Sequence, residues 1–138
     1  MLTVWADIAA SNATLLIHET ETLETDHPTL HRYYELVAQL QRQYSQALFV
    51  GVLLEECLER SGWRLVENQR LAVKKPVAKM AQLHLSNLRT WRYDDYARQV
   101  FDAAEIDSLE ASLREISEDT ENEGTVMNGA RQIISRRH

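Results

Sequence analysis

The densest cluster of aromatic and basic side chains lies in the second half of the chain: Arg89, Trp91, Arg92, Tyr93 and Tyr96. Aromatic residues and arginine are enriched at the energetic centres of protein–protein interfaces. We therefore predict that this cluster binds a protein partner of unknown identity. Stacking on nucleic-acid bases is less favoured, because Asp94 and Asp95 would repel phosphate. The structural alternative is a core edge, with Trp91 buried and the arginines paired with nearby acids.

The segment 77–93 overlaps this cluster and resembles the helix-turn-helix repressors over about seventeen residues. Its small and apolar residues fall where two short helices would meet. The departures are Gln82, at the usual turn glycine, and Leu85, where a solvent-facing polar residue is expected. The resemblance implies base and phosphate contacts from Lys74, Lys75, Lys79, Ser86, Arg89 and Thr90. The alternative is one ordinary helix with a buried stripe: Val77, Met80, Ala81, His84, Leu88 and Trp91.

Other candidate chemistry is weaker, and we predict neither a metal nor a cofactor. His27, His31 and Glu35 share a helix face, but no fourth ligand is evident. Residues 119–130 match only the first half of a calcium loop. Cys57 lies among glutamates and lacks the nearby base or positive field that a nucleophilic thiolate needs. There is no glycine-rich phosphate loop, so we predict that the chain is not an enzyme.

One segment dominates the predicted architecture. Residues 27–60 carry an unbroken heptad pattern that begins at Pro28 and stops at Ser61-Gly62. The pattern predicts one long helix, which would exceed the width of a compact domain of this size. It therefore either breaks near Gly51 or extends to meet a second copy, and the two alternatives are the core helix of a monomeric bundle and the seam of a homodimer. The seam residues would be Tyr33, Val37, Leu40, Tyr44, Ala47, Gly51 and Leu54.

The remaining segments complete an all-α prediction of four or five helices. Glycine and proline are scarce, which argues against a fold of many strands. We predict a first helix over 4–20, a loop over 19–26, and helical spacing from Val77. A small β-hairpin at 63–73 competes there with a loop that contains a helical turn. A last helix is predicted over about 95–117. The domain prediction is one helical domain, 1–117, followed by an acidic linker and short basic tail, 118–138.

Composition limits the environment of the protein. The chain of 138 residues carries a net charge of -6 and one cysteine. We expect a cytoplasmic location, since one cysteine suits a reducing compartment and residues 1–20 do not resemble a signal peptide. The longest apolar run is too short to cross a membrane. Charge is arranged as acidic, basic and acidic segments, so the basic middle either packs beside acidic flanks or binds an anionic partner.

These observations rank three hypotheses. The first is a non-enzymatic interaction protein, such as a regulator, inhibitor or adaptor, which could form a homodimer. The second is a small DNA-binding regulator that uses residues 77–93. The third is an enzyme or small-ligand-binding helical bundle whose site the sequence does not reveal.

Overall fold

The computed structural model describes residues 1–46, 53–119 and 121–137. Within this part of the chain the order of elements is α1 (Leu2–Ile8), β1 (Thr14–Glu24), α2 (Pro28–Gln43), α3 (Leu53–Arg60), β2 (Trp63–Pro76), α4 (Val77–Trp91), α5 (Asp95–Val100), α6 (Ala103–Glu118) and β3 (Thr125–Arg137). The three strands form one antiparallel sheet in the order β1-β3-β2. The fold is therefore α/β, and the all-α prediction was wrong.

The strands occupy segments for which we had predicted helix, loop or tail. The helix predicted over 4–20 ends at Ile8, and β1 follows from Thr14. Threonines alternate with acids and leucines in β1, and this period of two is the strand pattern that we mistook for a helix and a loop. The hairpin at 63–73 is instead part of one continuous strand, β2. The predicted linker and tail contain β3, the central strand of the sheet.

The long helix predicted over 27–60 is also not continuous. Helix α2 ends at Gln43, where the Tyr44 and Ser45 N–H groups donate to the Gln41 and Arg42 carbonyls over 3.0 and 3.1 Å. Ser45 has a φ of 53°, a left-handed conformation that a right-handed helix cannot contain. The heptad spacing of apolar residues continues past the end of α2, because such spacing shows which residues are apolar and does not show where the helical backbone ends.

The chain divides into two compact units. The sheet unit comprises the described residues of 1–23, 53–73 and 128–137. Its core contains Ala6, Leu54, Leu58, Trp63 and Ile133. The indole N–H of Trp63 donates to the Leu2 carbonyl over 3.1 Å, which ties β2 to α1.

A buried ion network lies within the sheet unit. Arg131 of β3 is only 3% exposed and pairs with the carboxylates of Glu21 and Glu55. Glu21 also forms an ion pair with Arg70 over 3.4 Å, and the Asn68 amide donates a hydrogen bond to Glu55 over 2.6 Å. The network explains how a basic side chain occupies the central strand, because its charge is balanced by acids from β1 and α3.

The helical unit comprises the described residues of 24–46, 74–119 and 121–127. The last helix, predicted over about 95–117, is divided into α5 and α6. Asp102 caps the first turn of α6 by accepting from the Ala104 N–H over 3.0 Å. Four apolar residues of α6 are buried: Ile106, Leu109, Leu113 and Ile116. Helix α4 packs along α6, and α2 contacts both α5 and α6. None of the helices in the described part of the chain has the length and hydropathy needed to span a membrane.

Candidate functional site

The predicted helix-turn-helix is one uninterrupted helix, α4, whose buried stripe contains Val77, Met80, Ala81, His84, Leu85 and Leu88. Leu85 is therefore a core residue, which explains why it departed from the template. Because no turn separates two short helices, the segment lacks the recognition helix that the DNA hypothesis requires. Among the candidate contacts, Lys74, Lys75, Lys79, Ser86 and Thr90 are all exposed.

The arginines of the aromatic and basic cluster are engaged within the helical unit. Glu110, whose side chain is 15% exposed, accepts from Arg89 over 3.0 Å and from Arg114 over 3.1 Å. Arg92 bonds to the same carboxylate and to Asp107 over 2.6 Å. Arg89, the largest cause, and Arg92 hold the pKa of Glu110 below its ordinary value. These contacts agree with the structural alternative given above, in which the arginines of the cluster pair with nearby acids.

The aromatic members of the cluster do not form one surface. Tyr93 is 70% exposed, and the Arg92 guanidinium lies 5.7 Å from its ring centre. Trp91 and Tyr96 each make an edge contact with Phe101, at centroid distances of 5.9 and 6.3 Å. The structure therefore brings Arg92 and Tyr93 together and directs Trp91 elsewhere.

The predicted dimer seam is distributed over both units. In the helical unit Tyr33 and Leu40 are buried, Val37 is half-buried, and Tyr44 is exposed. Leu54 is buried in the core of the sheet unit. Ala47 and Gly51 lie outside the described residues. The seam stays a prediction, with Tyr33 and Leu40 already covered within one chain.

The seam helix and the cluster helix together line a cavity that neither pattern predicted. Its volume is about 390 Å³, and its walls come from α2, the turn after it, and α4: Tyr33, Val37, Leu40, Gln41, Tyr44, Gln46, Asn87, Thr90 and Trp91. We call this space the aromatic cavity. The rings of Tyr33 and Trp91 are 6.2 Å apart and tilted by 46°, so they form a wedge rather than a stack.

Two polar atoms of the cavity-lining residues lack partners. Gln41 Oε1 and Trp91 Nε1 are sheltered from solvent, and neither makes a hydrogen bond to any described residue. Burial raises the pKa of the Tyr33 hydroxyl, and the nearby Trp91 and Asn87 side chains partly oppose this rise. The Trp91 indole therefore lies near Tyr33, but not in the geometry of a hydrogen bond. Buried polar groups without partners are uncommon in folded proteins, and they call for an explanation.

A buried histidine supports the wall of this cavity. His84 stacks on Tyr33 with ring centres 4.4 Å apart, and a hydrogen bond of 3.0 Å joins its Nε2 to Tyr34 Oη. Burial lowers the pKa of His84 to about 4 and raises that of Tyr34 to about 12. Both groups are thus neutral near pH 7. Sequence analysis placed His84 in the core stripe of α4, and the structure confirms that placement.

The candidate metal ligands do not assemble into a site. His31 Nδ1 lies 3.7 Å from Glu35, and both side chains are largely exposed. Across residues 1–46, 53–119 and 121–137, no group of three metal-ligating side chains comes together. Cys57 is exposed on α3.

No protein-family model matches the chain, and no curated protein matches it. Solved structures do resemble it. One, from Bacillus halodurans, is named as a methyltransferase and is 11% identical, with a TM-score of 0.46; the match covers 98% of this chain and 60% of that one. A cyclopropane synthase of Mycobacterium tuberculosis is 15% identical, with a TM-score of 0.44 and coverage of 99% and 48%.

A third similar structure is phospholethanolamine N-methyltransferase 2 of Haemonchus contortus, in complex with S-adenosylhomocysteine. Its identity is 8%, its TM-score is 0.40, and the match covers 99% of this chain and 29% of that one. The chain thus spans 60% or less of the three proteins. All three are named as enzymes, whereas we had predicted a non-enzymatic interaction module, with DNA binding as the alternative. At these identities and TM-scores no residue role is transferred.

The described residues do not fit a nucleoside cofactor such as the one in that complex. Such cofactors need glycines in a strand-to-helix turn, where the backbone approaches the ligand closely. The turn from β1 to α2 contains no glycine, and β2 leads directly into α4. Gly62 ends α3 with a φ of 81°, Gly124 lies against Val77, and Gly129 lies against Thr22. These three glycines therefore serve chain geometry, and none of them forms a cofactor-binding turn.

Proposed function

We propose that the helical unit binds a small organic substrate in the aromatic cavity, and that the chain takes part in an enzyme that acts on this substrate. The observation that carries the proposal is the cavity itself. A volume of about 390 Å³ lies within the ordinary range for small-molecule pockets. Its walls combine aromatic rings with amide and hydroxyl groups, which is the mixture that such pockets use to hold and orient a ligand.

The unpaired wall groups support the same proposal. A buried donor or acceptor without a partner destabilises a protein by about 1–3 kcal/mol. Gln41 Oε1 and Trp91 Nε1 are two such groups among the residues that line one cavity. A ligand that displaces the side chains covering these atoms can complete both hydrogen bonds. Ligand binding would thus explain why these two atoms lack partners in the free protein, which packing alone does not explain.

Ligand binding is tested by tryptophan fluorescence, to which the cavity residue Trp91 contributes together with Trp5 and Trp63. We expect some members of a library of small amines, amides and alcohols to change tryptophan fluorescence and raise the melting temperature. Val37→Phe should fill the cavity and abolish both responses. Leu83→Phe is the matched control, because Leu83 is 52% exposed on α4 and does not line the cavity. If no compound binds the wild-type protein, or if Val37→Phe binds equally well, the proposal is wrong.

Turnover is tested separately. The purified chain is incubated with each compound that binds, and the compound is then measured by mass spectrometry for chemical conversion. We expect conversion that Val37→Phe abolishes and Leu83→Phe retains. Conversion that is identical in both variants would show that the aromatic cavity does not hold the substrate.

We further propose that the protein works in the cytoplasm. The supporting observation is that Cys57 is the sole cysteine of the chain, so an internal disulfide cannot form. Fractionation of the source cell tests this location. Recovery of the protein outside the cytoplasmic fraction would contradict it.

A further inference from the structure

We propose that the substrate of the aromatic cavity is a small organic amine, bound as its ammonium ion and carrying an oxygen that accepts a hydrogen bond. This inference rests on the proposed function, because it names the chemical class of the molecule that the cavity holds. Three properties of the cavity support it: the charges of its walls, the arrangement of its rings, and its unpaired polar groups.

The first property is charge. The described residues that line the cavity include no lysine, arginine, histidine, aspartate or glutamate. A phosphate or carboxylate ligand would therefore lose its hydration without meeting a cation. The nearest charge tied to the wall is negative: the Tyr44 hydroxyl donates to the Asp94 carboxylate over 2.7 Å. This contact raises the pKa of Tyr44 and lowers that of Asp94. The electrostatic preference is thus for a cation over an anion.

The second property is the arrangement of aromatic rings. His84 covers one face of Tyr33, stacked at 4.4 Å with an interplanar angle of 23°. Trp91 is inclined to Tyr33 by 46°, which leaves a wedge between the two rings instead of filling it with a parallel stack. Tyr44 adds a third ring to the walls. Ring faces carry negative potential, and several around one space form the aromatic cage that binds alkylated ammonium ions.

The third property is the pair of wall groups without partners. Gln41 Oε1 can only accept, so its partner must bring a donor such as the N–H of a protonated amine. Trp91 Nε1 can only donate, so its partner must bring an oxygen or nitrogen acceptor. One molecule with an ammonium group and a hydroxyl or carbonyl oxygen satisfies both. A hydrocarbon satisfies neither, and an anion lacks the donor.

The experiment compares two compounds of the same shape. Dimethylaminoethanol is protonated near neutral pH, and isoamyl alcohol places a carbon where it has nitrogen. Affinities are measured by calorimetry on the full chain, with benzamide as a neutral planar probe. We expect dimethylaminoethanol to bind about tenfold more tightly than isoamyl alcohol, the difference that one desolvated cation–π contact supplies. Tyr44→Leu should reduce this preference, and Tyr44→Phe, which keeps the ring, should retain it.

A gain of affinity provides a second readout. Gln41→Glu keeps the side-chain shape and adds a negative charge at the wall, so dimethylaminoethanol should bind about tenfold more tightly while isoamyl alcohol does not. Gln43→Glu is the control, because Gln43 is exposed and does not line the cavity. Equal gains in both variants would indicate a general charge effect and overturn the inference.

The outcomes separate the two proposals. If isoamyl alcohol or benzamide binds as well as dimethylaminoethanol, the cavity takes small molecules but the amine inference is wrong. If only the amine binds, and Val37→Phe abolishes its binding, both proposals are supported. If none of the three probes and no compound of the wider library binds, the proposed function itself fails.

Discussion

The buried imidazole of His84 should make the protein less stable as the pH falls. Its side chain is 5% exposed, and burial lowers its pKa from 6.5 to about 4. Between these values the unfolded chain binds a proton that the folded chain does not, so the free energy of unfolding decreases as the pH decreases. A shift of this size corresponds to about 3 kcal/mol in total. About 2 kcal/mol of this is lost between about pH 7.5 and about pH 5.

The assay is urea unfolding of the wild-type protein and His84→Gln at both pH values, followed by tryptophan fluorescence, to which Trp91 on the same helix contributes together with Trp5 and Trp63. Replacing the histidine should lower stability at the higher pH but remove about 2 kcal/mol of the pH dependence. His31→Gln, at an exposed position on α2, controls for the loss of a histidine as such. An NMR titration of the His84 ring gives its pKa directly. Equal pH dependence in wild-type and His84→Gln, or titration of the ring near 6.5, would refute the reasoning.

Three further predictions concern packing, the ion network and the backbone. Leu113→Ala should reduce the free energy of unfolding by about 2–5 kcal/mol, since Leu113 is fully buried; urea unfolding measures this, and exposed Leu83→Ala should change it by less than about 0.5 kcal/mol. Arg131→Met should lower the free energy of unfolding by about 3 kcal/mol, because it leaves two carboxylates without their buried partner; stability that is unchanged at neutral pH would show that the network contributes nothing. Ser45→Gly should raise the free energy of unfolding by about 0.5 kcal/mol, because glycine tolerates the left-handed backbone better than serine. The melting temperature measures this, and a lower value than that of the wild-type protein would contradict the prediction.

Helices that carry their own signals were predictable from the sequence. Helix α6 has a capping aspartate and four apolar residues on one face, and its bounds depend on little else. The single-helix alternative for 77–93 was equally local, and α4 confirms it. Local patterns succeeded where the partners of a residue lie within a few turns.

The strands were missed because the residues that stabilise them are distant in the sequence. β3 looks like a basic tail until Arg131 is placed between Glu21 and Glu55. β1 is rich in threonine and glutamate, which resembles a polar connection when its neighbouring strand is unknown. The aromatic cavity was missed for a related reason. Tyr33 and Trp91 were each singled out, for a seam and for a binding cluster, but only the packing of α2 near α4 brings their rings to 6.2 Å.

The position of β3 has a consequence for synthesis on the ribosome. β3 lies between β1 and β2 in the sheet, yet it follows both in the chain, and about one hundred residues separate it from the end of β1. Until β3 has emerged, β1 and β2 each present an unpaired edge to other nascent chains. Such edges promote aggregation, and closing so long a loop is slow. We therefore expect chains that stall before residue 125 to depend on chaperones far more than the finished protein does.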